Sequence, residues 1–307
     1  MGNKAGKPAA ASPDSSLEER YAAIKAAQGA QFENYTAWIA GKDAAWREKI
    51  VADAAALGID VDVDKGQIRY AADFEEKKLP LKFDLMYCRH GKTTGNTEPR
   101  VYQGYVDEPS NALNDVGKGQ AEAAADKLDA LRLDPDLVVL SPLSRAADTG
   151  RAYLKRHPEL EAVTEEWDES AEMHFGAWDN VRVRDLPDDN ICHLFYLDQN
   201  AVVVADAPYK PPSGGAAIPG ESFVEVLVRM HGVLEKLNAR FQGDAPAKQP
   251  LVLMYGHSMA GAALSVLTGN GKVVDGQTYL GFDGKYIMPN ATPVYLHREK
   301  GGACIVM

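Results

Sequence analysis

The sequence predicts an α/β fold: a three-layer sandwich with a mostly parallel central sheet flanked by helices, preceded by a helical and hairpin extension. Two observations carry this. From Phe83 onward, short apolar runs at 83–88, 137–140, 251–255 and 294–297 alternate with helical stretches at 116–131, 144–156, 222–241 and 258–267. Strands separated by helices pair in parallel through crossovers, which places helices on both faces. The first eighty residues carry a different pattern, and no internal repeat links the two parts.

Taken in order, residues 1–15 are rich in Ala, Pro, Ser, Gly and Lys and have little to bury, so they are expected to be disordered. Residues 16–80 form the extension. Ser16 and Glu19 make a capping-box start, and Tyr21, Ile24, Gln28, Tyr35 and Ile39 keep helical spacing. Gly41 breaks that run, Asp43 can cap again, and Trp46, Ile50 and Leu57 mark a second helix that ends at Gly58. Ile59, Val61 and Val63 alternate with Asp, and Asp64-Lys65-Gly66 turns the chain into Ile68 and Tyr70, which reads as a hairpin. Residues 81–298 then form the α/β domain, with a Pro/Gly-rich loop from Lys210 to Gly215 read as a lid, and 299–307 form a tail.

Composition narrows the function. The 307 residues are 45% hydrophobic and 25% charged, the balance of a soluble globular protein, and the net charge is −11. So acidic a chain is a poor partner for nucleic acid, and any phosphate site must be a local cluster of Arg and His. Cys88, Cys192 and Cys304 lie far apart with no CxxC pairing, so neither a disulfide framework nor a zinc site is indicated. With no N-terminal apolar leader and no long apolar run, a cytoplasmic protein is expected.

Ligands of open α/β sheets bind beyond the carboxyl ends of the strands. The first strand runs into Arg89-His90-Gly91 with Thr93, Thr94 and Asn96. The second runs into Ser141-Pro142-Leu143-Ser144-Arg145, and the third into Gly256-His257-Ser258. Taken singly, His257 reads as a structural histidine and Arg145 as a surface helix residue. Together, two Arg and two His on one rim are the chemistry of a phosphoryl pocket: guanidinium forks bind phosphate oxygens, and a neutral imidazole can attack phosphorus.

These elements resemble the histidine phosphatase (phosphoglycerate-mutase-like) superfamily, branch 1. Arg89-His90-Gly91 with Thr93, Thr94 and Asn96 resembles its RHGxTxxN signature. Gln103-Gly104, Asp107, Leu113, Gly117 and Gln120-Ala121 follow in family order, with extra residues around 109–112. Ser141 to Thr149 resembles SPLxRAxxT, Glu172 to Trp178 resembles E-x-x-F-G-x-W, and Gly220-Glu221-Ser222 matches the GES before the next helix. Asp179-Asn180 departs from the Glu-Gly that often follows the Trp. The likeness spans about Phe83 to Val294.

The resemblance implies that His90 is the nucleophile, that Arg89, Arg145 and His257 bind the transferring oxygens, and that Glu172 is the general acid and base. Thr93, Asn96 and Gln103 would serve the substrate pocket, and Arg182, Arg184 and Lys210 could hold a second anionic group. Neither metal nor cofactor is implied, because Arg and His do the work of a cation. The expected partner is a small phosphorylated metabolite; oligomeric state is not read. A phosphatase is favoured over a phosphoglycerate mutase-type phosphotransferase, since Glu172-Met173-His174-Phe175-Gly176 lacks the Arg of the mutase block E-R-H-Y-G. A rival serine-esterase reading takes Gly256-His257-Ser258-Met259-Ala260 as a G-x-S-x-G elbow, with Ser258 as nucleophile and Asp275 or Asp283 and His297 as partners. It leaves Arg89, His90 and Arg145 unexplained. Finally, Cys304-Ile305-Val306-Met307 has the C-a-a-X farnesylation pattern, which would bring the protein to a membrane surface, whereas Gly6 weakens the myristoylation pattern at Gly2.

Overall fold

The computed structural model describes residues 17–195, 197, 199–212, 214–242, 248–280 and 289–299. The extension begins with α1 (Leu17–Ala26), α2 (Gln28–Ala40) and α3 (Ala44–Ala56). Asp43 caps α3 as expected, its carboxylate accepting from the Trp46 amide at 2.7 Å. Strands β1 (Ile59–Asp62) and β2 (Gln67–Tyr70) form the expected antiparallel hairpin, with Ile59 opposite Tyr70. A short helix α4 (Phe74–Lys77) leads into the central sheet.

That sheet is built from β3 (Asp84–Arg89), β5 (Leu137–Leu140), β6 (Thr164–Glu166), β8 (Leu251–Gly256) and β11 (Pro293–His297), in the order β11-β3-β8-β5-β6. Pairs β3–β8, β8–β5 and β5–β6 are parallel, and β11 is antiparallel to β3. The parallel strands therefore deliver their carboxyl ends to one rim. Met86, Cys88, Val138, Leu140, Leu253 and Tyr255 face one apolar cluster with Ala124, Leu128 and Ala147, which come from α5 (Asp115–Leu131) and α6 (Ser144–Leu154). The alternate residues Leu85, Tyr87, Val139, Val252 and Met254 face a second cluster with α7 (Phe223–Arg240) and α8 (Ser258–Leu267). Period-two alternation over these strands gives the three layers.

Three features escaped the sequence reading. Edge strand β6 is Thr-Glu-Glu, with no apolar signal. Pairs β4 (Val101–Tyr102) with β7 (Val181–Arg182), and β9 (Val273–Val274) with β10 (Gln277–Thr278), are two residues each. Through Thr278, opposite Ile68, β10 joins the hairpin of the extension into a four-stranded sheet. Ile24, Tyr35, Ile50 and Ile68 lie in the same apolar cluster as Phe223, Leu227, Leu264 and Leu267, so the extension shares the domain's core. Among the described residues no helix is long and apolar enough to cross a membrane.

Candidate active site

The rim holds a solvent-open cleft of about 420 Å³, lined by Arg89, His90, Asn96, Gln103, Arg145 and Glu172 together with Arg100, Tyr102, Phe175 and Ser258. His90 follows β3 directly, and its amide continues the ladder by donating to the Gly256 carbonyl at 2.9 Å. The His90 Nδ1 atom lies 2.7 Å from the Gly91 carbonyl. A carbonyl can only accept, so Nδ1 carries the proton and Nε2 keeps its lone pair. Burial, then the Arg89 and Arg145 charges, hold the His90 pKa well below the usual histidine value, so the ring is neutral at pH 7.

Arg145 is fully buried in the first turn of α6 and aimed by a loop. Its Nη1 donates to the Val106 carbonyl at 3.0 Å and its Nη2 to the Gly104 carbonyl at 2.6 Å. The same loop is pinned to α6, because Asp107 accepts from the Ser144 amide at 3.0 Å and hydroxyl at 2.7 Å. Gly104 adopts φ +48°, and a Cβ there would lie 1.5 Å from Asp179 Oδ1, so only glycine fits. Burial lowers both Arg89 and Arg145 to about 10, which leaves them charged at neutral pH. Two buried cations lining one cleft are suited to a dianion.

Glu172 is 5% exposed and is the one carboxylate lining the cleft among the described residues. It sits on the amino end of α8, accepting from the amides of Ser258 at 3.0 Å, Met259 at 3.1 Å and Ala260 at 3.1 Å, and from Ser258 Oγ at 3.1 Å. Helix amino ends favour such anionic partners. Behind it, Arg229 on α7 donates to the carbonyls of Glu169 and Ala171 and pairs with Glu221 at 2.7 Å. Arg229 thereby fixes the segment that presents Glu172; its place among apolar helix residues gave no sign of this.

The expected residues fall into three groups. Arg89, His90, Arg145, Glu172, Asn96 and Gln103 line the cleft. His257 and Thr93 are fully buried behind it: the His257 ring lies 5.4 Å from that of His90, and the Thr93 hydroxyl donates to Gln103 Oε1 at 2.8 Å. Arg182 and Lys210 are not in the cleft. Arg182 is exposed and bound to Asp185 three residues on, at 2.6 Å, and Lys210 is exposed on a loop closed by mutual Tyr209–Ile218 backbone bonds. Arg184 is likewise outside the lining. The cation that sequence reasoning missed is Arg100, which follows Pro99 and leads into β4 beside Arg89. Cys304 lies outside the described residues, as does Asp283 of the esterase reading.

The esterase triad is not assembled. Ser258 Oγ donates to Glu172, and the neighbouring His257 ring turns to Ser141. His297 pairs with Leu85 near the start of β3, whereas His90 follows its end, so His297 and Ser258 lie at opposite ends of the sheet. Antiparallel β11 is the physical reason: it carries the chain away from the rim.

Comparisons with known proteins agree with this geometry. The model of the histidine phosphatase superfamily (branch 1) matches residues 85–270. A mannitol-1-phosphatase of Eimeria tenella is 41% identical over 301 residues, covering 91% of this chain and 95% of that protein. Among solved structures, a mycobacterial glucosyl-3-phosphoglycerate phosphatase superposes with a TM-score of 0.52 at 25% identity, over 69% of this chain and 89% of its own. A protein described as mycobacterial hydrolase 1 gives 0.51 at 26% identity, over 69% and 90%.

Proposed function

The chain belongs to branch 1 of the histidine phosphatase superfamily, and on that premise we propose that it hydrolyses the phosphomonoester of an acyclic sugar alcohol through a phosphoryl group carried on His90. It is a phosphatase acting on a small phosphorylated metabolite. The polyol is the finer reading, taken from the mannitol-1-phosphatase that matches along nearly the whole chain. One observation carries the mechanism: a neutral His90, its Nδ1 tied to Gly91, stands in a cleft with two buried arginines and one carboxylate.

In the first step the Nε2 lone pair attacks phosphorus, and the bond from phosphorus to the alcohol oxygen breaks. Glu172 enters this step as the neutral acid, gives its proton to the departing oxygen and is left as the carboxylate that the α8 amides hold, while Arg89, Arg145 and His257 hold the equatorial oxygens as charge builds on them. In the second step water attacks the phosphohistidine and gives its proton to Glu172. Phosphate leaves and His90 returns to its neutral form. Arg100, Asn96 and Gln103 remain to meet the polyol hydroxyls.

The test is phosphate release from a panel of phosphomonoesters in the presence of chelator. Mannitol 1-phosphate and its sugar-alcohol relatives are expected to have the highest kcat/KM, ahead of cyclic sugar phosphates and 3-phosphoglycerate. Conversion of 3-phosphoglycerate to 2-phosphoglycerate without phosphate release would instead make the protein a mutase.

A further inference from the structure

Ser141 directly follows β5 at the rim. It is fully buried, and its amide donates to the Tyr255 carbonyl at 3.1 Å, which fixes it to β8 two residues before His257. Its Oγ lies 2.7 Å from His257 Nε2 and accepts from the Leu143 amide at 3.3 Å; those are its hydroxyl's partners. The other ring nitrogen, His257 Nδ1, is buried and makes no hydrogen bond within the protein. The backbone around the ring is held independently, since Tyr87 Oη accepts from the His257 amide at 2.5 Å and donates to its carbonyl at 2.8 Å.

The hydrogens can be counted. Burial, then the Arg145 and Arg89 charges, hold the His257 pKa well below the usual histidine value, so the ring carries one proton. If that proton were on Nε2, Ser141 Oγ would accept from both Nε2 and Leu143, and its own hydrogen would have no acceptor. The lone pair on Nδ1 would also be buried with no donor in the protein, so two groups would go unmet. If the proton is on Nδ1, both hydrogens at Ser141 are used, Leu143 N–H to Oγ and Oγ–H to Nε2, and one group alone, Nδ1–H, is left without a protein partner, as a donor beside His90. Unmade buried hydrogen bonds are costly, which decides between the two.

We propose that Ser141 is a positioning residue: its hydroxyl donates to His257 Nε2 and so fixes the tautomer whose Nδ1–H binds the transferring phosphoryl oxygens. The inference rests on the phosphatase reading for what Nδ1–H meets, but the tautomer itself is measurable without turnover.

The experiment has two arms. Two-bond proton–nitrogen correlation spectra of the ¹⁵N-labelled wild type, with His257 identified by its loss in His257→Asn, report which ring nitrogen is protonated. Protonated Nδ1 is expected; protonated Nε2 overturns the proposal whatever the kinetics. In the second arm, Ser141→Ala should lower kcat about a hundredfold with KM little changed, the cost of losing one preorganised donor to the transition state. Ser141→Thr keeps the hydroxyl and should restore most of the rate. A Ser141→Ala enzyme within twofold of wild-type kcat overturns the proposal, as does a folded Ser141→Thr no faster than Ser141→Ala. Should Ser141→Ala fail to fold, the wild-type spectrum still decides. A wild type that releases no phosphate from any monoester removes the hydrolase reading and leaves the tautomer result intact.

Discussion

Asn111 Nδ2 donates to Asn180 Oδ1 at 3.3 Å, across 69 residues of chain. The two sites where the sequence departs from its family's pattern, the extra residues around 109–112 and the Asp179-Asn180 pair, therefore touch. Asn180 also donates to Glu108 at 3.3 Å, and Glu108 accepts from the Tyr209 hydroxyl at 3.3 Å, so the departures form one polar clasp next to the cleft.

Asn180 adopts φ +59°, a conformation asparagine tolerates better than most residues. Replacing it by Ala loses both side-chain bonds and strains the backbone, so Asn180→Ala should cost ~2 kcal/mol of unfolding free energy. Asn180→Gly loses the same bonds without the strain and should cost less. Urea unfolding of the three proteins checks the order; equal loss in both variants would mean that the clasp alone matters.

Asp179 gives a pH signature. Burial pushes its pKa up to about 8, against the amides of Phe175 and Tyr105, which favour the charged form. In an unfolded chain the group ionises near its ordinary value of about 4. Between these values the folded state holds a proton that the unfolded state has released, so this group's contribution falls as pH rises from about 4 to 8 and is level above. Asp179→Asn lacks the effect. Relative to that variant, the wild type should lose a few kcal/mol of stability over this window, read by denaturant unfolding at several pH values. Parallel curves would show that Asp179 is ionised in the native protein.

Glu172 is tested by leaving group. As the general acid it matters most when the departing oxygen is a poor leaving group, so Glu172→Gln should slow a polyol phosphate about a hundredfold more than an activated aryl phosphate. The alternative carboxylates, Glu169 three residues before it and Glu221 of the GES motif, are bound to Lys236 and Arg229. Equal loss on both substrates would take the acid role from Glu172.

Much of this was legible in the sequence because the signals were local. Apolar runs gave β3, β5 and β8 to within a residue at each end; their carboxyl-end clusters named Arg89, His90, Asn96 and Arg145 of the cleft lining, and the family resemblance added Gln103 and Glu172. What stayed hidden depends on pairing across the chain. The polar β6 is a strand only because β5 lies beside it, and the antiparallel run of β11 follows from where the preceding segment returns. Charge alone suggests a place in the site for Arg182 and Lys210, yet Arg182 is bound to Asp185 and Lys210 is exposed on a closed loop. Arg229 was unmarked because its role is to hold carbonyls, and no motif records that.

The central claim is that His90 carries the phosphoryl group. Mannitol 1-phosphate labelled with ³²P, mixed with excess enzyme and quenched within milliseconds in alkali, should leave acid-labile label on the peptide that contains His90. Ser258→Ala should still form it, and His90→Ala should form none and lose turnover. Label that is stable to acid and absent from Ser258→Ala, or full turnover by His90→Ala, would contradict the account.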